Sequence, residues 1–145
     1  MTESKTADAA ALILRLALGS AFIAHALLKI LVFTMAGTEA FFVKLGYPGF
    51  FAWIVMLAEL LGGLALIVGV QVRLVSLLLV PIMIGALLVH LPNGWLFTAA
   101  GGGWEYPAFW TATLLVQFLL GAGRYSLASG GASELIRPRT PVAAE

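Results

Sequence analysis

The chain carries a predominantly apolar run, AALILRLALGSAFIAHALLKILVF, at residues 10–33. A bilayer core of about 30 Å is crossed by about 20 helical residues, so this run is long enough to span a membrane. Similar runs follow at residues 50–70 and 74–91, and a shorter one at residues 107–121. We therefore predict an all-α fold, a transmembrane four-helix bundle whose spans cover these four ranges.

The composition also indicates a membrane protein. Hydrophobic residues make up 61% of the 145-residue chain and charged residues 10%, and the mean hydropathy is +1.03. An average soluble domain has about 45–50% apolar and about 25% charged residues. Because a small soluble domain has a large surface to cover with polar side chains, this composition excludes an ordinary soluble domain.

Charge and cysteine content exclude several classes of function. The net charge is +1, and no basic cluster is interleaved with aromatic residues, so nucleic acid is not an expected partner. The chain has no cysteine, which excludes thiolate chemistry, cysteine-ligated zinc and iron–sulfur clusters. Any redox chemistry would therefore need a bound cofactor or a partner protein.

The segments between the spans differ in character. Residues 35–49 contain aromatic and charged side chains and are predicted to form a short helix on the membrane surface. Residues 71–73 form a tight hairpin, and residues 92–106 are a loop rich in turn-forming residues. We assign residues 1–127 to one membrane domain and residues 128–145 to a polar C-terminal tail.

The distribution of basic residues predicts the orientation. With four spans, one side of the membrane carries six basic residues: Lys5, Arg15, Arg73, Arg124, Arg137 and Arg139. The other side carries only Lys29 and Lys44. Because basic residues concentrate in cytoplasmic loops, both termini are predicted to be cytoplasmic.

Ionisable residues within the spans are candidates for function, because a charge inside a membrane is costly. On the first helix, Arg15, Phe22, His25 and Lys29 fall within an arc of about 80°, which predicts a polar stripe that faces protein. His25 and Glu59 each lie about nine residues from the outer end of their span, and therefore at the same depth, roughly 13 Å.

These positions predict a polar pocket that opens outward. We assign the catalytic role to His25 and Glu59, which are expected to share a direct or water-bridged hydrogen bond. A shallower layer is assigned to cofactor binding, and the loop that covers it carries two tryptophans. This layer comprises Lys29, His90, Trp95, Trp104 and Glu105.

Structural roles are the alternative for the same residues. Glu59 could be neutralised by Lys29 or by His25, with the pair joining two helices. Lys29 and Arg15 could extend toward the headgroups. Of the whole set, Arg15 is the residue for which a structural role is most expected. The histidines and carboxylates could bind zinc, manganese or iron, but their spacing does not support a metal site, and the different depths of the histidines disfavour a haem.

Motifs in all but the third span resemble those of a known family. The first span reads RLALGSAFIAHALLKI at residues 15–30, and the second reads ELLGGLALIVG at residues 59–69. The fourth is introduced by GWEYP at residues 103–107, and GAGRYSL follows it at residues 121–127. On these motifs the sequence resembles the DoxX family of small four-span membrane proteins.

The resemblance covers residues 12–127 and implies a four-helix bundle in the bacterial inner (cytoplasmic) membrane. Five residues match the family pattern: Arg15, His25, Lys29, Glu59 and Glu105. The sequence departs from the pattern at Ala26, where a glycine commonly follows the histidine, and at Ala128, where aspartate is usual. Relatives include small subunits of thiosulfate:quinone oxidoreductase, so the resemblance implies redox stress or quinone-linked electron transfer.

Three functions are compatible with these observations. The leading hypothesis is a membrane subunit of a quinone-linked oxidoreductase or redox-stress system, with a quinone in the outward pocket and membrane or peripheral redox proteins, or further copies of the chain, as partners. The rival is a non-catalytic scaffold or anchor subunit that assembles with partner proteins. A small transporter is the third, and the scarcity of polar residues in the inner half of the spans disfavours it.

Overall fold

The computed structural model describes residues 3–127, and the predicted C-terminal tail lies outside the described residues. The described chain forms helices only, as the sequence predicts: α1 (Glu3–Leu27), continued by a π-helical turn (Leu28–Val32), α2 (Met35–Lys44), α3 (Phe51–Val68), α4 (Val72–His90), followed by a 3-10 turn (Leu91–Asn93), and α5 (Glu105–Leu120). No strand occurs within residues 3–127, which confirms the all-α fold.

Three helical segments are long and apolar enough to cross a membrane. They are Lys5–Val32, Phe51–Val68 and Val72–Asn93, and they overlap the first three predicted spans. α5 has 16 residues and is the shortest of the long helices. The fourth span therefore remains a prediction, together with the orientation of the termini.

Four helices pack side by side around a shared core. α1 packs mainly against α3 and α4 mainly against α5, and the two pairs meet through α3–α4 and α1–α5 contacts. The core residues are Leu18, Phe22, Leu66, Val72, Leu79, Met83, Trp110 and Leu114. Large apolar side chains also cover the outside, such as Leu78, Leu88 and Leu119. An outer surface of this kind is suited to hydrocarbon and would be an aggregation hazard in water.

The α1–α3 contact depends on two glycines that face each other. A Cβ atom built on Gly19 would lie 2.6 Å from the carbonyl oxygen of Gly63, and one built on Gly63 would lie 2.8 Å from that of Gly19. These separations are too short for real Cβ contacts, so the two helix backbones touch directly. Small residues permit such close approach between helices in membranes.

The link between α3 and α4 is as tight as the sequence predicts, although it lies two residues earlier. α3 ends at Val68, and Gly69 and Gln71 both adopt left-handed backbone conformations, with φ of 83° and 47°. α4 then begins at Val72. Two left-handed residues reverse the chain within three positions, which places α3 and α4 antiparallel.

The segment after α1 forms the short helix that the sequence predicts. α2 begins after Thr34, whose side-chain oxygen accepts a hydrogen bond from the Gly37 backbone N–H at 3.2 Å. α2 packs against α3, and the Trp53 indole N–H of α3 donates to the Glu39 carboxylate. α2 is thereby held over the end of the bundle where α1 ends and α3 begins.

Candidate functional site

A buried ion pair joins α1 to α3. Lys29 Nζ lies 2.7 Å from Glu59 Oε2 and 2.9 Å from Glu59 Oε1, and the two side chains are 17% and 6% exposed. Helical side chains tilt toward the N-terminus of their helix, so the Lys29 side chain extends back along α1 to the depth of Glu59. The structure therefore contradicts the alternative in which Lys29 extends outward to the headgroups.

The backbone that carries Lys29 is irregular. Leu28–Val32 form a π-helical turn, in which the Phe33 N–H donates to the Leu28 carbonyl at 2.9 Å. The buried Thr38 hydroxyl, on α2, lies 3.3 Å from the Lys29 carbonyl oxygen and 2.9 Å from that of Thr34. Single π-turns are frequent at functional sites, and neither this turn nor Thr38 was predicted from the sequence.

His25 is oriented by its own helix. Its Nδ1 lies 3.1 Å from the Ala21 carbonyl oxygen, and a carbonyl can only accept a hydrogen bond, so Nδ1 carries the proton. In the neutral ring Nε2 then presents a lone pair, and it has no hydrogen-bond partner within residues 3–127. The His25 ring therefore offers one free acceptor atom.

The predicted direct hydrogen bond between His25 and Glu59 does not form. Within residues 3–127 the Glu59 carboxylate bonds to Lys29, one of the two partners that the sequence left open. Lys29 Nζ also lies 3.5 Å from the His25 carbonyl oxygen, so the ammonium group lies between the two residues. The sequence predicted how deep each residue lies along its helix axis. Which side chains form a hydrogen bond depends instead on the direction in which each side chain extends.

An aromatic wall borders His25. The His25 ring packs edge-to-face against Trp110 of α5, with ring centroids 4.8 Å apart. Trp110 also stacks on Phe22 at 4.8 Å and contacts the Tyr106 ring in a tilted arrangement at 5.3 Å. Trp110 was not predicted from the sequence, although the buried residues of α5 follow a helical period that includes it: Pro107, Trp110, Leu114 and Gln117.

The polar stripe on α1 faces protein, as predicted. Phe22 and His25 contact Trp110, and Lys29 pairs with Glu59. Arg15 is 1% exposed and donates from Nη2 to the Tyr125 carbonyl oxygen at 2.6 Å. The structure therefore contradicts the alternative in which Arg15 extends to the headgroups, because its guanidinium group is enclosed at the opposite end of the bundle from Lys29.

His90 closes the loop between α4 and α5. Its Nδ1 lies 3.0 Å and 3.1 Å from the carbonyl oxygens of Gly101 and Gly102. The Asn93 side-chain amide donates to the same two oxygens, at 3.1 Å and 2.9 Å. Both side chains thus fasten the glycine-rich part of the loop to the end of α4.

The remaining predicted cofactor-binding residues also bond within this loop. Glu105 Oε1 accepts from the Phe97 N–H at 3.0 Å, and the rings of Trp95 and Trp104 meet edge-to-face at 4.5 Å. No hydrogen bond or ring contact joins them, or His90, to the ion pair or to His25 within the described chain. Their assignment to cofactor binding stays a prediction, while loop closure is what the structure shows.

The described residues of the site include an imidazole that can exchange a proton and aromatic side chains beside it. They do not include a set of metal ligands. Within residues 3–127 no group of three or more histidine or carboxylate side chains is placed to hold a metal ion. His25 presents an imidazole nitrogen, and Lys29 and Glu59 form a pair that is neutral overall. Trp110 and Phe22 supply aromatic surface next to the imidazole.

The fold and site define a helical membrane protein with a buried ion pair between its first and third helices. The DoxX family profile matches residues 10–92, which contain α2 to α4, most of α1 and the ion pair. The chain belongs to the DoxX family.

A curated relative comes from Bacillus subtilis (strain 168) and is named "Putative oxidoreductase CatD". It is 34% identical to this chain over 85 residues, which are 59% of this chain. The matched segment spans 62% of the length of that relative. No solved structure matches the chain.

Proposed function

We propose that this protein is a membrane subunit of a quinone-linked oxidoreductase or redox-stress system. The observation that carries the proposal is the free Nε2 of His25, a residue whose ring packs against Trp110 and whose backbone carbonyl oxygen lies 3.5 Å from the Lys29 ammonium group of the ion pair. The name of the Bacillus relative supports a redox role. The chain has no cysteine, so electrons would pass through a bound group or a partner protein, which is why we propose a subunit.

The residues around His25 fit a quinone headgroup. A quinone, when bound, supplies a redox couple of two electrons and two protons. Trp110 is 6% exposed and lines the inner side of the site beside His25, and the neighbouring Tyr106 is 47% exposed and would contact a headgroup that enters from the surface. In its neutral form His25 accepts a proton at Nε2 from a bound hydroxyl group, and in its protonated form it donates one to a carbonyl oxygen.

The ion pair supports this chemistry without taking the proton itself. Because Lys29 and Glu59 neutralise each other, proton uptake at His25 is the one change of net charge at the site. The Ala21 carbonyl fixes the Nδ1–H tautomer, so the exchangeable position is always Nε2. Lys29 and Glu59 therefore act as positioning residues, and His25 as the proton-exchanging residue.

The proposal includes the membrane topology. We place α5 as a fourth span in the bacterial inner membrane, with both termini cytoplasmic and the His25 site facing outward. Its 16 residues extend about 24 Å, about 6 Å less than a core of about 30 Å, so the proposal requires the bilayer to thin locally around α5, with Trp104 and Tyr106 at its start in the headgroup zone.

The test compares His25→Gln and Glu59→Gln with Lys44→Gln, an exposed residue on α2 outside the site. Membrane abundance and quinone-dependent electron transfer are measured together in isolated membranes. We expect His25→Gln to insert at normal abundance and to lose about a hundredfold or more in rate, since a positioned proton-exchanging group contributes about 10²–10⁴-fold. Lys44→Gln should retain full activity.

The scaffold function is the second candidate, and one observation favours it. Lys29 and Glu59 neutralise each other within the chain, as expected of an ion pair whose role is to hold two helices together. Normal abundance with full activity in both His25→Gln and Glu59→Gln would contradict the catalytic proposal. A defined partner complex that purifies without lipid-extractable quinone would then establish the scaffold function.

A further inference from the structure

The opposite end of the bundle encloses an arginine with unused hydrogen-bond donors. Arg15 is 1% exposed, and its Nη2 donates to the Tyr125 carbonyl oxygen at 2.6 Å. Its Nε and Nη1 are buried and have no hydrogen-bond partner among residues 3–127. An unpartnered polar group costs about 1–3 kcal/mol in a protein interior, and more when it is charged. The Arg15 guanidinium group therefore needs a further hydrogen-bond acceptor.

Two left-handed glycines make room for arginines at this end. A Cβ atom on Gly69, with φ of 83°, would overlap the Arg15 guanidinium group. A Cβ atom on Gly121, with φ of 73°, would lie 3.0 Å from Nε of Arg73. Arg15 and Arg73 thus both lie where the α3–α4 turn meets the segment after α5. Arg73 is exposed at the surface of this junction, whereas Arg15 is buried within it.

Arg15 and Arg73 have no ion-pair partner within residues 3–127. The Asp8 carboxylate also lies at this end, and it accepts a hydrogen bond from the Arg124 backbone N–H at 3.0 Å. α4 begins at Val72, so its unpaired N–H groups add a partial positive charge at the same place. The buried Ser76 hydroxyl, one turn along α4 from Arg73, also has no hydrogen-bond partner in the described chain. Two guanidinium groups and a helix N-terminus attract a negatively charged oxygen ligand.

We propose that this junction is a binding site for a phosphate group, with Arg73 at its entrance and Arg15 at its base. Guanidinium groups form charge-assisted hydrogen bonds to phosphate oxygens, and the buried Nε and Nη1 donors of Arg15 have no other acceptor among residues 3–127, so a phosphate group that enters beside Arg73 would supply one. The phosphate comes either from the headgroup of an anionic lipid or from a free oxyanion, and both present the same chemistry. The proposal does not depend on the redox function proposed for the His25 site.

The test measures the melting temperature of the full-length protein in a neutral detergent. Sodium phosphate is titrated against sodium chloride at equal ionic strength, and in a second arm phosphatidylglycerol is titrated against phosphatidylcholine. We expect phosphate or phosphatidylglycerol to raise the melting temperature by about 3–5 °C at tenfold above its Kd. A rise with phosphatidylglycerol alone identifies a lipid, and a rise with inorganic phosphate identifies a free oxyanion.

Variants assign the effect to the junction. Arg73→Gln should weaken the affinity about tenfold or more, because one charge-assisted contact is lost. Lys44→Gln removes the same charge from α2 at the other end and should leave the affinity unchanged. Arg15→Gln should abolish the response, and the exposed Arg73 keeps the test decisive if that variant fails to fold. The absence of any response in both arms, or an equal response in Arg73→Gln and wild type, would overturn the proposal.

Discussion

At the scale of single residues, Lys29 and Glu59 show how a membrane protein retains charges in its interior. Each side chain is less than one fifth exposed, and each compensates the other at hydrogen-bonding distance. Removal of water from two charges is costly, and a close pair offsets that cost only while both members are present. The stability of this contact therefore depends on the pair and not on either residue alone.

This dependence predicts the outcome of a double-mutant cycle. Lys29→Met leaves the Glu59 carboxylate buried without its partner and should destabilise the protein by about 3–5 kcal/mol. The double variant Lys29→Met/Glu59→Met replaces both charges with apolar side chains of similar length and should recover most of that loss. The free energy of unfolding, measured by denaturant titration in detergent, gives the coupling energy.

One outcome of the double-mutant cycle would contradict the predicted coupling between Lys29 and Glu59. If the double variant loses as much unfolding free energy as the two single variants lose together, Lys29 and Glu59 act independently. The ion pair is then not what joins α1 to α3. The single variants also serve as the stability reference for the activity measurements on Glu59→Gln.

At the scale of elements, the α1–α3 packing rests on the glycine contact below the ion pair. Gly19 and Gly63 bring the two backbones together, and the carbonyl oxygen of each occupies the space where a Cβ atom of the other would lie. Because both obstacles are backbone atoms, a side-chain rotation cannot relieve them. The two helices would have to separate to accept any larger residue.

Gly63→Ala should therefore be destabilising, whereas Gly85→Ala should be neutral or slightly stabilising. A Cβ atom on Gly85 of α4 would meet no neighbouring atom of the described chain within 4 Å, and alanine favours a helix over glycine by about 1 kcal/mol. Thermal unfolding in detergent should show a lower melting temperature for Gly63→Ala alone. Equal melting temperatures for the two variants would refute the close backbone contact.

At the scale of the whole molecule, the ring of four packed helices predicts the membrane topology. α1 contacts both α3 and α5, and α4 contacts the same two helices, so α5 is a full member of the bundle. We therefore expect α5 to share the membrane with its neighbours, with local thinning of the bilayer accommodating its short length near the aromatic residues at its start.

Reporter fusions test this topology. A fusion after Glu145 should report the cytoplasm, and a fusion within residues 95–101 should report the opposite side. Matched reporters of both kinds, one active in the cytoplasm and one active outside it, serve as each other's control. If both fusion sites report the same side, α5 does not cross the membrane and the four-span topology is wrong.

Local properties of the sequence were sufficient to predict the all-α fold and the positions of its helices. Hydropathy and turn residues act over short stretches of chain, so they predicted the bounds of α3 to α5 and the tight α3–α4 link to within two residues. α1 begins at Glu3, seven residues before the predicted start of the first span, because residues 3–9 are helical but too polar to be read from hydropathy. The period of α1 also predicted that Arg15, His25 and Lys29 face protein, because side chains on one helix have fixed relative directions.

The pairing of side chains could be read from the tertiary structure alone. Glu59 bonds to Lys29 instead of His25, Trp110 borders His25 from α5, and His90 closes a loop. Arg15 is enclosed because the segment after α5 returns to cover it. Each of these contacts depends on how one helix is rotated against another and on how far each side chain reaches, and neither quantity is encoded in the position of a residue along its own helix.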